Sequence, residues 1–233
     1  MSDTVIQDAF KGENARSYDD QWSKLDPFRR VQHLLLDIAF DELPAKARIL
    51  SVGAGTGQEI LFLAEKHPGW SFVAVDPSAD MLAVCREKMD AIGAGDRCRY
   101  HAGFLESLSE TEPFDAATCL LVSHFLLDQD ARDALFADIA RRLSPGGHLV
   151  SADLSDEATD TPLFDFWLKA MGYAGISGDR QEQYRTAIAQ AVALLPPAAI
   201  EAMLERTGFE KPVQILRTGL IAGWYARLPA PTS

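Results

Sequence analysis

Ser51-Val52-Gly53-Ala54-Gly55-Thr56-Gly57-Gln58-Glu59 decides how the rest of the chain is read. It follows an apolar, β-branched run, Arg48 to Val52, and opens a helical pattern, the setting in which a glycine-rich loop carries meaning. The glycines permit positive φ and a close approach of backbone to a ligand at a helix start. Asp76 ends the next apolar run, 23 residues after Gly53. A carboxylate there accepts from both hydroxyls of a ribose bound across the sheet's carboxyl edge. Loop and acid together point to an adenosine-containing cofactor. The sixth position of a GxGxxG pattern falls on Gln58, while Gly57 gives GxGxG, so close approach of a pyrophosphate is less well supported.

Further apolar runs follow at Ser71 to Val75, Arg99 to Ala102, Asp115 to Val122 and His148 to Ala152, with helical patterns between most of them. That alternation predicts an α/β fold, a doubly wound and mostly parallel sheet covered by helices. Asp26-Pro27 opens a helix that precedes the sheet, with Asp26 read as its cap. Pro77 to Asp90 reads as a helix capped near Asp76 or Ser78, and Gln129 to Leu143 as another that stops at Leu143-Ser144-Pro145-Gly146-Gly147. After Asp153 the pattern changes. Residues 155–195 read as a helical insertion, an aromatic stretch followed by a second helix from Gln181 to Leu195. Val213 to Leu216 and Leu220 to Ala226, around Thr218-Gly219, read as a terminal hairpin that gives the sheet an antiparallel edge. The expected organisation is a single domain over 1–233, with an N-terminal cap over 1–43 and the insertion over 155–195.

The chain has 233 residues, 47% of them hydrophobic, which suffices for a packed core and excludes disorder. Its formal net charge of −12 repels phosphate on average and argues against nucleic acid as a partner. No apolar run approaches the roughly 18 residues of a membrane span, and the polar start has no signal-peptide core. A cytoplasmic protein is expected. Cys85, Cys98 and Cys119 lack CxxC spacing and read as buried free thiols, and the five histidines lack metal-ligand spacing. No metal is expected.

VGAGTG, VDPSADML, FDAATCLLVSHFLLD, LSPGGHLVSADL and ERTGFEKPVQILRTGLIAGWYARL together resemble a class I S-adenosylmethionine-dependent methyltransferase, over roughly residues 14–228. The resemblance implies a Rossmann-like seven-stranded sheet with an antiparallel last strand and S-adenosyl-L-methionine at its carboxyl edge. By position, it implies that Gly53, Ala54, Gly55 and Gly57 line the methionine and ribose and that Asp76 holds the ribose hydroxyls. Pro77 and Met81 then flank adenine, Gly103-Phe104-Leu105 cover its other side, and Leu121, Val122 and Ser123 floor the cofactor. The stretch Ala15 to Trp22 resembles the segment that closes over the cofactor. Arg16 is there expected to pair with the methionine carboxylate, and Tyr18 or Phe28 to place a ring near the sulfonium. Two positions depart from the family's pattern. Ser51 offers a neutral hydroxyl where an acid is common, and Phe104 offers a ring where many members have an acid for the adenine amine.

Methyl transfer from a sulfonium is an in-line displacement in which the protein mainly aligns the reactants and excludes water. A base is needed only for a hydroxyl or protonated amine, and His124, just past the fourth strand, is the catalytic candidate. Asp153, ending the fifth strand, is a candidate to orient the acceptor. Phe164, Phe166, Trp167, Met171 and Tyr173 are expected to form an apolar wall over a small-molecule substrate. The same aromatic segments leave a homodimer open. Two alternatives stand beside methyl transfer: a nicotinamide-dependent oxidoreductase, and a transferase using a carboxylated S-adenosylmethionine on transfer RNA. The second rests on the insertion and Arg185.

Overall fold

The computed structural model describes residues 10–230, and within them lies one seven-stranded sheet with helices on both faces. The strands are β1 Arg48–Val52, β2 Ser71–Asp76, β3 Cys98–Ala102, β4 Phe114–Leu120, β5 Leu143–Leu154, β6 Val213–Thr218 and β7 Ile221–Arg227. Their order is β3-β2-β1-β4-β5-β7-β6, and β1 to β5 pair in parallel. β7 runs antiparallel to both β5 and β6. The expected doubly wound sheet is therefore present. The terminal hairpin does turn its end antiparallel, with the second strand of the hairpin inserted inside the first.

Helices α1 Glu13–Trp22 and α2 Asp26–Ala39 precede the sheet, while α3 Gln58–Lys66, α4 Ala79–Ala91 and α5 Gln129–Arg142 follow β1, β2 and β4. The insertion supplies α6 Pro162–Ala174 and α7 Asp179–Ala191, and α8 Pro197–Arg206 leads into the hairpin. Of the expected N-terminal cap, residues 1–9 lie outside the described residues. Period-two alternation sends Leu50, Val52, Val73, Val75, Ala117 and Cys119 to one face, against Phe136 and Ile139 of α5 and Ile200 and Met203 of α8. Ile49, Phe72, Ala74, Ala116 and Val150 face the other way, onto Leu36 of α2, Leu63 of α3 and Leu82 of α4. All three cysteine thiols are buried. Among the described residues no helix is long and apolar enough to cross a membrane.

Two local expectations are corrected. Asp26 lies inside α2, whose cap position is Leu25, because its carboxylate is drawn to the guanidinium groups of Arg29 and Arg30. The stretch from Leu143 to Gly147 is strand, with Leu143 paired to Phe114, and Gly146 takes a left-handed φ of 77° there. Where caps matter for the site the sequence is obeyed. Ser78 Oγ accepts from Met81 N at 3.3 Å and Asp128 Oδ1 from Ala131 N at 2.9 Å, which fixes the starts of α4 and α5.

Candidate functional site

Strand order reverses between β1 and β4, which opens a crevice at the carboxyl ends of the strands. The glycine loop forms one wall of it. Gly53, Gly55 and Gly57 have φ of 68°, 52° and 73°. A Cβ on Gly53 would stand 2.2 Å from Val122 Cγ2, and one on Gly57 would stand 2.2 Å from Cys85 Sγ. Among the described residues a Cβ on Gly55 would meet just Met81 Cε, at 3.5 Å. Gly57→Ala is expected to lower stability by about 2–4 kcal/mol, from left-handed strain added to overpacking on a buried thiol. Gly55→Ala should lose the strain part alone, and urea unfolding midpoints of the two variants measure the difference.

Asp76 is buried at the end of β2, where Gly55 N donates to Oδ2 at 2.9 Å and Ser78 N to Oδ1 at 2.8 Å. Burial raises its carboxyl above the usual range, against the pull of those two backbone bonds. Met81 is buried beside the loop and Pro77 is exposed. Gly103 N donates to Asp76 O at 3.0 Å, so the turn after β3 borders the same crevice. Phe104 stands half exposed on that turn, whereas Leu105 points into the core. Beneath the loop, Ser51 Oγ donates to Glu59 Oε1 at 2.5 Å. Burial pushes the Glu59 carboxyl up to about 7, although the hydrogen bond from Ser51 opposes the rise.

Helix α1 reaches the loop through Asp19, which accepts from Thr56 Oγ1 at 2.8 Å, Gln58 Nε2 at 2.7 Å and Lys88 Nζ. Tyr18, next to it, has its hydroxyl pKa raised by burial and then by the charges of Asp19 and Asp76. Arg16 is directed elsewhere. Its guanidinium is exposed and lies 3.5 Å from Glu87 on α4. Phe28 is also away from the loop, stacked on Trp167 of the insertion with ring centroids 6.2 Å apart.

The opposite wall is the exit of β4. Leu121 holds a left-handed φ of 61°, rare for a branched side chain, and donates its N–H to Ala152 O at 2.6 Å. Ser123 and His124 are buried under it. Ser123 Oγ donates to Asp153 Oδ2 at 2.7 Å and accepts from Arg132 Nε at 2.9 Å, so this side chain is committed to the interior. Asp153 Oδ1 accepts from His124 N and faces His124 Nδ1, both at 3.0 Å, while Arg132 Nη2 lies 3.0 Å from Oδ2. Burial would raise the Asp153 carboxyl, but hydrogen bonds and charge from His124 and Arg132 hold it below the usual range. Leu154 N also donates toward His124 Nδ1, at 3.3 Å, so this nitrogen is held between the Asp153 carboxylate and a backbone N–H.

The insertion is fastened to this exit through its return segment. Ala193 N donates to His124 O at 2.7 Å, Arg132 Nη1 donates to Ala193 O at 3.0 Å, and Ser155 Oγ donates to Leu195 O at 2.8 Å. Phe164, Trp167 and Met171 turn inward at helical spacing and pack with Trp22, Leu25, Phe28, Leu121 and Phe125. Phe166 and Tyr173, expected on the same wall, are 61% and 71% exposed, because α6 carries them on its outer face. Arg185 stacks on Phe164 and pairs with Asp165 at 2.7 Å, which ties α7 to α6.

A family model described as a methyltransferase domain matches residues 49–147. The chain is 30% identical over 203 residues to demethylmenaquinone methyltransferase of Thermus thermophilus, covering 83% of this chain and 87% of that one. This chain belongs to the S-adenosylmethionine-dependent methyltransferases. Its cofactor is S-adenosyl-L-methionine, and the nicotinamide alternative is set aside. Malonyl-[acyl-carrier protein] O-methyltransferase of Marinomonas is 26% identical over 63% of this chain and 53% of its own length. Another curated relative is matched over just 24% of its length. In fold, the methyltransferase resembles magnesium protoporphyrin IX methyltransferase of Synechocystis, solved with S-adenosylhomocysteine, at a TM-score of 0.68 and 16% identity over 97% of this chain and 99% of that one.

Three groups in this methyltransferase's crevice walls escaped the sequence reading: Glu59, Asp19 and Arg132. The first left a signal. Glu59, Ile60 and Leu63 share the buried face of α3, so an acid at an inward helical position is visible in the pattern. Arg132 left none, since its burial follows from a carboxylate 21 positions away in sequence.

Proposed function

We propose that this methyltransferase acts on a small, largely apolar acceptor held between the β4 exit and the insertion. The observation that carries the reading is the ring cluster of Trp22, Phe28, Phe125 and Trp167, which shares one apolar core with Leu121, beside His124. Such a wall removes water from an acceptor and holds its ring, while the chain's charge of −12 opposes a polyanion. The Thermus relative's name specifies demethylmenaquinone, so a quinone-type ring is the first compound to try.

The residues of the crevice fit the cofactor's chemistry. S-adenosylmethionine supplies an electrophilic methyl group when bound. In this reading Gly53, Ala54, Gly55 and Gly57 run along it, with room above Gly55, and the buried acceptor Asp76 takes the ribose hydroxyls. Pro77, Met81, Gly103 and the half-exposed Phe104 border adenine, where the ring of Phe104 contributes stacking. Tyr18 closes the ribose side. Leu121 and Val122 form the floor through backbone and apolar side chains, and His124 Nε2 takes a proton where the acceptor is a hydroxyl. Asp153 holds the imidazole in place from its Nδ1 side.

The test is a production assay for S-adenosylhomocysteine, with quinols and phenols set against acyl-carrier thioesters and transfer RNA. Turnover confined to ring acceptors is expected. Turnover with transfer RNA or a carrier-bound acid alone would overturn the acceptor reading and leave the methyltransferase assignment intact.

A further inference from the structure

A carboxyl group taken out of water needs a donor or a cation. Glu59 has two neutral donors, the Ser51 hydroxyl and its own backbone N–H, and no ion-pair partner among the described residues. It is 8% exposed, in the first turn of α3, and the Ser51 hydroxyl serves Oε1 at 2.5 Å. No lysine, arginine or histidine nitrogen among the described residues forms an ion pair with it. Lys88, the cation whose charge reaches it, is spent on the Asp19 carboxylate and on Thr56 O at 3.3 Å. The other ionisable groups around it worsen its position: Asp76 from β2 is acidic, and Cys85 of α4 and Cys98 of β3 are thiols that bring no positive charge. Burial pushes this carboxyl up to about 7, so it is partly protonated at neutral pH, one residue beyond Gln58 of the segment along which the cofactor is placed.

The cofactor carries what is missing. Its methionine end bears an α-ammonium group, and Ser51, at the end of β1, has no charge to offer it. We propose that Glu59, oriented by Ser51, is the anionic receptor for the cofactor's α-ammonium group. The inference rests on the proposed placement of the cofactor along the glycine loop. An arriving ammonium favours the carboxylate form, so the carboxylic acid gives its proton to solvent as the ligand binds. The ligand arrives already charged, and the proton released comes from Glu59.

Calorimetric titration at pH 6.5 in two buffers of different ionisation enthalpy tests this, with S-adenosylhomocysteine and 5′-methylthioadenosine as probes. The second lacks the amino-acid end. In the unaltered protein, S-adenosylhomocysteine should release a sizeable fraction of a proton and methylthioadenosine none. Glu59→Gln keeps an acceptor for Ser51, and it should weaken S-adenosylhomocysteine by about tenfold or more, abolish its proton release and leave methylthioadenosine unchanged. Equal proton release by both probes in the unaltered protein would overturn the proposal without any variant. So would a Glu59→Gln protein that binds S-adenosylhomocysteine as tightly as before, or that loses both probes alike. Asp76→Ala separates the failures, since methylthioadenosine binding that survives it would remove the glycine-loop placement itself.

The melting temperature of the unliganded variant adds a readout that a purely structural role would move the other way. A carboxyl raised in the folded state adds stability below its unfolded pKa and loses it as pH rises through about 7. Glu59→Gln should therefore melt no lower than the unaltered protein at pH 8, while showing a smaller shift with S-adenosylhomocysteine. A lower melting temperature at pH 8 with an unchanged ligand shift would assign Glu59 to packing and overturn the proposal.

Discussion

Asp153→Asn is expected to lower stability by about 3–5 kcal/mol, because it leaves the Arg132 guanidinium buried without its counter-charge. For a chain of this size that is a melting temperature lower by about 10 °C or more, read by thermal denaturation at pH 7. Arg132 is 1% exposed and Asp153 is 0% exposed, so water cannot take over for the missing carboxylate. The double variant Asp153→Asn with Arg132→Met should recover part of the loss, since removing both charges also removes the unmatched one. Full additivity of the two changes would show that the pair does not interact. The pH dependence carries a sign as well. Asp153 has a folded pKa below its unfolded value, so its contribution is present above the unfolded pKa and fades as pH falls through the lower, folded one. Asp153→Asn should flatten that part of the acid limb.

This network shows why one half of the crevice was more legible than the other. A strand followed by glycines at alternate positions is a backbone constraint written in consecutive residues, and Asp76 is tied to it by strand length alone. Strand positions, the insertion and the hairpin follow from local periodicity in the same way. Arg132 and Asp153 meet across the layer between α5 and β5, and nothing local in either segment announces the partner. Helix α1 failed for a different reason. With Ala15 as its one buried residue, it has no apolar stripe to set which face meets the loop, so the sequence reading chose Arg16 and passed over Asp19, the residue that reaches the loop. In α6 the stripe existed. Phe164, Trp167 and Met171 recur at three and four, and Phe166 and Tyr173 fall off that spacing, which separates wall from surface on periodicity alone.

Asp76→Ala is expected to weaken S-adenosylhomocysteine about 100-fold, roughly 2.7 kcal/mol, by removing a charged acceptor from two hydroxyl donors. Part of that effect runs through the protein. The same carboxylate holds Gly55 N at 2.9 Å and Ser78 N at 2.8 Å, so its loss also loosens the loop along which the ligand lies. Asp76→Asn divides the two contributions, because the amide keeps one oxygen for the backbone but gives up the charge and one acceptor. It should fall between the parent and the alanine variant, about tenfold weaker. The unliganded proteins give the control. Asp76 has its carboxyl raised by burial, which means the charged form is disfavoured in the folded state and its removal relieves that burden above the unfolded pKa. Melting temperatures at neutral pH should therefore stay close to the parent while ligand binding collapses. A variant that melts well below the parent and still binds would place Asp76 in the scaffold and move the ribose-binding role to another acceptor in the crevice.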